Sequence, residues 1–169
     1  MLNLTTLLLF ISPTYAAIES KPAIRIIADE MECDQQSSVC TANGNAFAEQ
    51  PEDPDKRTIR AEKFVAHFSK DRNDAKLSQG QAGKNDLKTL EAYGHVVLTN
   101  KDSVIRCDKA IYDHATETVE LFDNVKITND QNQLNGSYGH ADLKTKKYRV
   151  TNKNSQVEGL FINSPKKDK

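Results

Sequence analysis

Residues 105–128 read Ile105-Arg106-Cys107-Asp108-Lys109-Ala110-Ile111-Tyr112-Asp113-His114-Ala115-Thr116-Glu117-Thr118-Val119-Glu120-Leu121-Phe122-Asp123-Asn124-Val125-Lys126-Ile127-Thr128. Apolar and polar residues alternate from Ile105 to Asp108, from Val119 to Leu121 and again from Val125 to Thr128. A period of two marks a half-buried strand, one face apolar and one face wet. Asp113 to Thr116 and Asp123-Asn124 have the composition of turns. The stretch is one copy of a recurring module. At one constant offset upstream stand Ile26, Ala28, Asp29, Cys33, Asp34, Gly44, Asn45, Ala46 and Ala48. Repetition of this kind signals a supersecondary unit stacked on itself.

Two further copies complete the series. One holds Ile59-Arg60-Ala61-Glu62, Ala66-His67 and, after a polar insertion from Ser69 to Asp86, Gly94-His95-Val96-Val97-Leu98. The insertion reads as a surface loop. The last and most degenerate copy holds Leu134, Gly136, Ser137, Ala141 and Asp142. Gln50 to Asp55 carries two prolines and reads as a loop, because proline interrupts a central strand. Asn43-Gly44-Asn45 reads as a turn. After Ala61 the apolar positions become Phe64, Ala66 and Phe68; after Cys107 they become Ala110 and Tyr112. The parity of the inward face switches, so each strand needs a bulge or bend after the small-acid pair. A short helix over residues 61–69 is the competing reading. The fold class predicted is all-β, repeated antiparallel strand units curling into a roll.

The chain begins Met1-Leu2-Asn3-Leu4-Thr5-Thr6-Leu7-Leu8-Leu9-Phe10-Ile11, then Ser12-Pro13-Thr14-Tyr15-Ala16-Ala17. The apolar run is too short to span a bilayer, and the small residues after it fit a cleaved export signal over residues 1–16. Residues 17–163 form the domain, and 164–169 a disordered polar tail. About 150 residues are enough for one domain with a core. Net charge is −1 and the basic residues are dispersed, which argues against nucleic acid as partner. Export permits a disulfide. Cys33 and Cys40 flank a turn and either bridge or pack as two small hydrophobes. Cys107 stands where the first copy has Ala28, a packing position.

A search for chemistry returns little. His67, His95, His114 and His140 form no metal-binding pair, and no nucleophile elbow or phosphate loop occurs. Asp113-His114 and His140-x-Asp142 fall at repeated turns, a pattern of architecture rather than acid–base catalysis. Asp29, Glu62 and Asp108 lack the spacing of a calcium loop. They read as solvent-facing partners of Lys and Arg, or as turn formers. The chain is predicted to be no enzyme and to need neither metal nor cofactor. The inward face gathers Ile24, Ile26, Phe64, Val96, Leu98, Ile105, Val119, Leu121, Val125 and Ile127. A filled core and an apolar groove demand the same residues, so this face reads equally as either.

Ile27-Ala28-Asp29-Glu30-Met31, Ile59-Arg60-Ala61-Glu62-Lys63, Tyr112-Asp113-x-x-Thr116 and Asp142-Leu143-Lys144-Thr145 resemble the repeats of the LptA/OstA-like family. So do Gly44-Asn45-Ala46 and Asp123-Asn124-Val125, with Asp123 where that family favours Gly. The resemblance runs from about Ile24 to Ile162 and implies a β-jellyroll open along one side. It implies a periplasmic bridge protein that holds the acyl chains of lipopolysaccharide and carries it from inner to outer membrane. It also implies head-to-tail homo-oligomers, joined through Ile24, Ile26 and Ala28 at one edge and Val157, Leu160 and Ile162 at the other. LptC-like and LptD-like components are the partners implied. The alternatives are a structural β-roll that binds another protein without carrying lipid, or an LptC-like anchored component.

Overall fold

The computed structural model describes residues 24–69, 87–129 and 132–162. The expected leader, most of the insertion after Ser69 and the polar tail lie outside the described residues. The described chain is all strand and turn: β1 (Arg25–Ile27), β2 (Glu30–Asp34), β3 (Val39–Glu49), β4 (Thr58–Phe68), β5 (Leu87–Thr99), β6 (Ser103–Asp113), β7 (Thr118–Asn129), β8 (Asn132–Asp142), β9 (Lys147–Thr151) and β10 (Glu158–Leu160). They form one antiparallel sheet in the order β1-β3-β4-β5-β6-β7-β8-β10, with β2 also on β3 and β9 also on β8. β1 and β2 are thus two halves of one broken edge strand, and β9 and β10 of the other. The two edges do not pair with each other among the described residues, so the sheet stays open. Residues 61–68 of the segment 61–69 are strand rather than helix, with Phe64 and Ala66 in register with neighbours on both sides.

Every long strand bends in its middle. The register shifts at Asn43/Ala46, Arg60/Lys63, Tyr93/Val96, Arg106/Lys109 and Phe122/Val125. Gly44-Asn45, Gly94-His95 and Asp123-Asn124 occupy these shifts with φ between +46° and +76°. They are therefore mid-strand bulges, not the turns expected for Asn43-Gly44-Asn45 and Asp123-Asn124. The composition is the same because both need left-handed backbone, which Gly, Asn and Asp tolerate best. The bend does fall opposite the small-acid pair, where the parity switch placed it. The acids correct a second expectation. Asn45 Nδ2 donates to Asp29 Oδ2 at 2.8 Å and Asn124 Nδ2 to Asp108 Oδ2 at 2.7 Å, each pair 16 residues apart. In the remaining copy Glu62 Oε1 meets His95 Nδ1 at 2.7 Å across 33 residues, the separation lengthened by the insertion. These acids tie the bulges together rather than pairing with Lys or Arg.

The hairpin turns repeat as well. Asp34, Asp113 and Asp142 accept the backbone N–H of Gln36, Thr116 and Thr145 respectively. The Thr116 N–H and hydroxyl hold the Asp113 carboxyl below its usual range. Ser38, Glu117 and Lys146 close the turns with φ near +55°.

Bending folds the sheet over itself into two half-sheets. Their inner faces carry in-register rows. One row is Ala42, Phe64, Ala92, Ala110, Leu121 and Gly139; another is Ile26, Ala48, Ile59, Leu98, Ile105, Ile127 and Leu134. Small residues beside large ones let the half-sheets approach at core density. Phe64, Ala92, Ala110, Leu121 and Ala141 are wholly buried. Burying a side chain such as Phe64 contributes about 2–3 kcal/mol.

Candidate functional site

The interior of the roll is the candidate site. Phe64, Val96, Ile105, Val119, Leu121, Val125 and Ile127 are buried, and Ile24, Ile26 and Leu98 lie half-buried against them. All ten residues of the expected inward face therefore share one apolar interior. Their positions within it differ. Phe64 and Leu121 stand in the row of one half-sheet; Ile26, Leu98, Ile105 and Ile127 stand in the row of the other. Val96 and Val125 sit immediately after the bulges.

An apolar cavity of about 80 Å³ opens where the strand ends of the two half-sheets meet. Of the ten, only Ile24, Leu98 and Val119 line it. The others in its wall are Ala48, Ile59, Leu90, Tyr112 and Leu143, with Glu49, Gln50, Arg57 and Thr58 at the polar side. Most of these were missed from sequence. Leu90 follows the insertion and so lost its repeat neighbour. Ala48 is too small to weigh in an apolar count. Ile59 was legible, since it shares its parity with Ala61. A dry apolar cavity of about 150 Å³ accepts benzene. The space present is smaller.

Arg57, in the cavity's wall, belongs to a set of charged contacts between the β3–β4 loop and the neighbouring turns. Arg57 Nε lies 2.6 Å from Asp53 Oδ2 and its Nη1 3.5 Å from Glu117 Oε2. Burial pushes the Asp53 carboxyl up. The Arg57 guanidinium and the backbone N–H groups of Arg57 and Asp55 outweigh it and hold the group below its ordinary range. Lys146 Nζ stands 3.2 Å from Asp55 Oδ1 and 3.4 Å from Asp102 Oδ2.

Both edges carry apolar side chains in solvent. Ile24, Ile26 and Ala28 are half-buried on the first edge, beside exposed Ile27 and Met31. Val157, Leu160, Phe161 and Ile162 are exposed on the last. Cys33 and Cys40 face each other in register, joined at 2.02 Å, and fasten β2 to β3. Cys107 is buried, and loss of solvent pushes its thiol up to about 12, so it packs and does not react. Among the described residues no group of His, Cys, Asp and Glu could hold a metal, and no helix is long and apolar enough to cross a membrane.

Residues 25–147 match the family model described as LptA/(LptD N-terminal domain) LPS transport protein. Among solved structures the chain is similar to LptH from Pseudomonas aeruginosa, described as the LptA homologous periplasmic component of the lipopolysaccharide transport device. That likeness has a TM-score of 0.67 at 14% identity and covers 83% of this chain and 96% of that one. No curated protein matches the chain. At such low identity the structural likeness speaks for the fold, an open β-jellyroll of the LptA type.

Proposed function

The chain belongs to the family of LptA/(LptD N-terminal domain) lipopolysaccharide-transport proteins, and from that premise we propose that it is a periplasmic carrier. It holds the acyl chains of lipopolysaccharide inside the roll and passes them from inner to outer membrane. One observation carries the reading: one apolar row runs from β1 to β8 and the other from β3 to β8 without a charged side chain, in a sheet with two unpaired edges. Each buried methylene contributes about 0.8 kcal/mol, so such an interior can hold lipid in water without covalent chemistry. An unpaired edge accepts a strand from a neighbour. Ile24, Ile26 and Ala28 on one edge and Val157, Leu160 and Ile162 on the other would join copies head to tail, or join LptC-like and LptD-like components. The apolar rows would then continue from one copy into the next. Transport needs no catalytic residue here, since a like groove can receive what another releases.

The reading as a filled structural roll has its own support, the complete burial of Phe64, Leu121 and Ala141. Photocrosslinking separates the two. A photoreactive residue at Leu98 or Ile26 should crosslink to lipopolysaccharide, and one at exposed Lys126 should not. Equal labelling at all three positions, or none at Leu98 and Ile26, would discard the carrier reading.

A further inference from the structure

The seam that closes the interior is fastened by charge. The β3–β4 loop, residues 50–57, crosses it. Asp53 gives that loop a fixed shape, with a side chain 0% exposed. It accepts the N–H of Asp55 at 3.1 Å and of Arg57 at 2.9 Å, along with Arg57 Nε at 2.6 Å and Nη2 at 3.2 Å. The loop is thus a preformed strap.

Its links across the seam are of another kind. Arg57 Nη1 reaches Glu117 in the β6–β7 turn at 3.5 Å. Asp55, together with Asp102 of the β5–β6 turn, faces Lys146 of the β8–β9 turn. Glu117, Lys146 and Asp102 are 41%, 53% and 61% exposed in their side chains. Their partners Arg57 and Asp55 are 27% and 31% exposed, so each pair keeps one end in water and salt screens it in part. Leu90, Leu98, Tyr112 and Leu143 line the same cavity as Arg57. A salt-sensitive fastening over an apolar space can part and reclose, whereas a packed row cannot.

We propose that the 50–57 loop is a strap over the lipid interior, and that parting Arg57–Glu117 and Lys146–Asp55/Asp102 admits an acyl chain. The inference rests on the carrier reading above. Three observations favour it together. The cavity, partly open to solvent, is too small for a chain as it stands. The pairs that cross the seam join its two half-sheets, one of them from Arg57 in the cavity's wall. Asp53–Arg57 lies within the strap and spans no seam.

The experiment uses the full chain with Asp55→Cys and Lys146→Cys, the Cys33–Cys40 bridge left intact, and a short photocleavable bis-maleimide. Uptake of fluorescent lipopolysaccharide should slow at least about tenfold when the strap is locked and recover on illumination. Lipid loaded before locking should stay trapped. In the uncrosslinked chain, raising salt should accelerate uptake, and Lys146→Met should be faster at low salt with a flatter salt response. The Lys146→Met arm decides the question even if the crosslinked variant fails to fold. Equal uptake by locked and unlocked protein, or an unchanged salt response in Lys146→Met, overturns the strap alone. No binding by the wild-type chain overturns the carrier reading and the strap's role with it.

Discussion

Gly94 and Glu62 show how single residues set the bend. Gly94 has φ +76°, and a Cβ there would stand 2.3 Å from Glu62 Oε2. Left-handed backbone costs a side-chain-bearing residue about 1–2 kcal/mol. Gly94→Ala should therefore lower stability by about 1–2 kcal/mol in urea unfolding, and it should separate Glu62 from His95. The third copy shows the way out. It bears Asp123 at the equivalent position, φ +57°, opposite the shorter Asp108. Adding Glu62→Asp to Gly94→Ala should recover part of the loss. A Gly94→Ala chain as stable as wild type would mean that the bulge does not constrain this residue. The departure of Asp123 from the family's Gly is thus a local accommodation, since Asp tolerates left-handed backbone better than most residues.

Among the elements, the first edge strand is the least supported. β2 is exposed at every residue and pairs only with β3. The Cys33–Cys40 bridge closes a short loop, for which chain entropy gives about 2–3 kcal/mol. As a prediction, Cys33→Ser should remove amide-exchange protection from Glu30–Asp34 and leave β6 and β7 unchanged. Unaltered protection in β2 would show that the backbone ladder holds the edge without the bridge. The consequence is functional on the proposed reading, because a neighbouring copy would pair with this edge and needs it ordered. The bridge joins facing residues of one hairpin, and its site was legible in the spacing. The choice between bridge and packed thiols was not, because both demand close facing strands.

For the whole molecule, the open sheet is the decisive property. The last edge leaves Leu160, Phe161 and Ile162 between 55% and 67% exposed. Apolar side chains beside unpaired backbone form a surface suited to a further strand. If copies join there, a chain ending at Gln156 should lose concentration-dependent assembly in sedimentation and keep its β-sheet signal. An unchanged oligomer distribution would count against edge pairing. Lipid carriage by the single copy should survive that truncation, since the cavity's wall contains no residue beyond Leu143.

In the sequence by itself, alternation along each segment and the parity switch after each small-acid pair make antiparallel repetition and a bend legible, whereas Gly44-Asn45 and Asp123-Asn124 read as turns and are bulges inside β3 and β7. Alternation, turn acids and left-handed Gly or Asn act over a few residues, so they are written locally. The sequence also drew the inward face, though without deciding between core and groove. The acids at the bends were misread because their partners are Asn45, His95 and Asn124 on the next strand. No charge pattern along one strand reveals an amide on another. Only the folded-over sheet brings the walls of the cavity and the contacts across its seam together. Lys146 and Asp55 are 91 residues apart and meet only because the sheet folds over. Leu143, Leu90 and Ala48 share one wall for the same reason. Local propensity sets where a strand bends, but only the packing of all of them sets what the bent faces enclose.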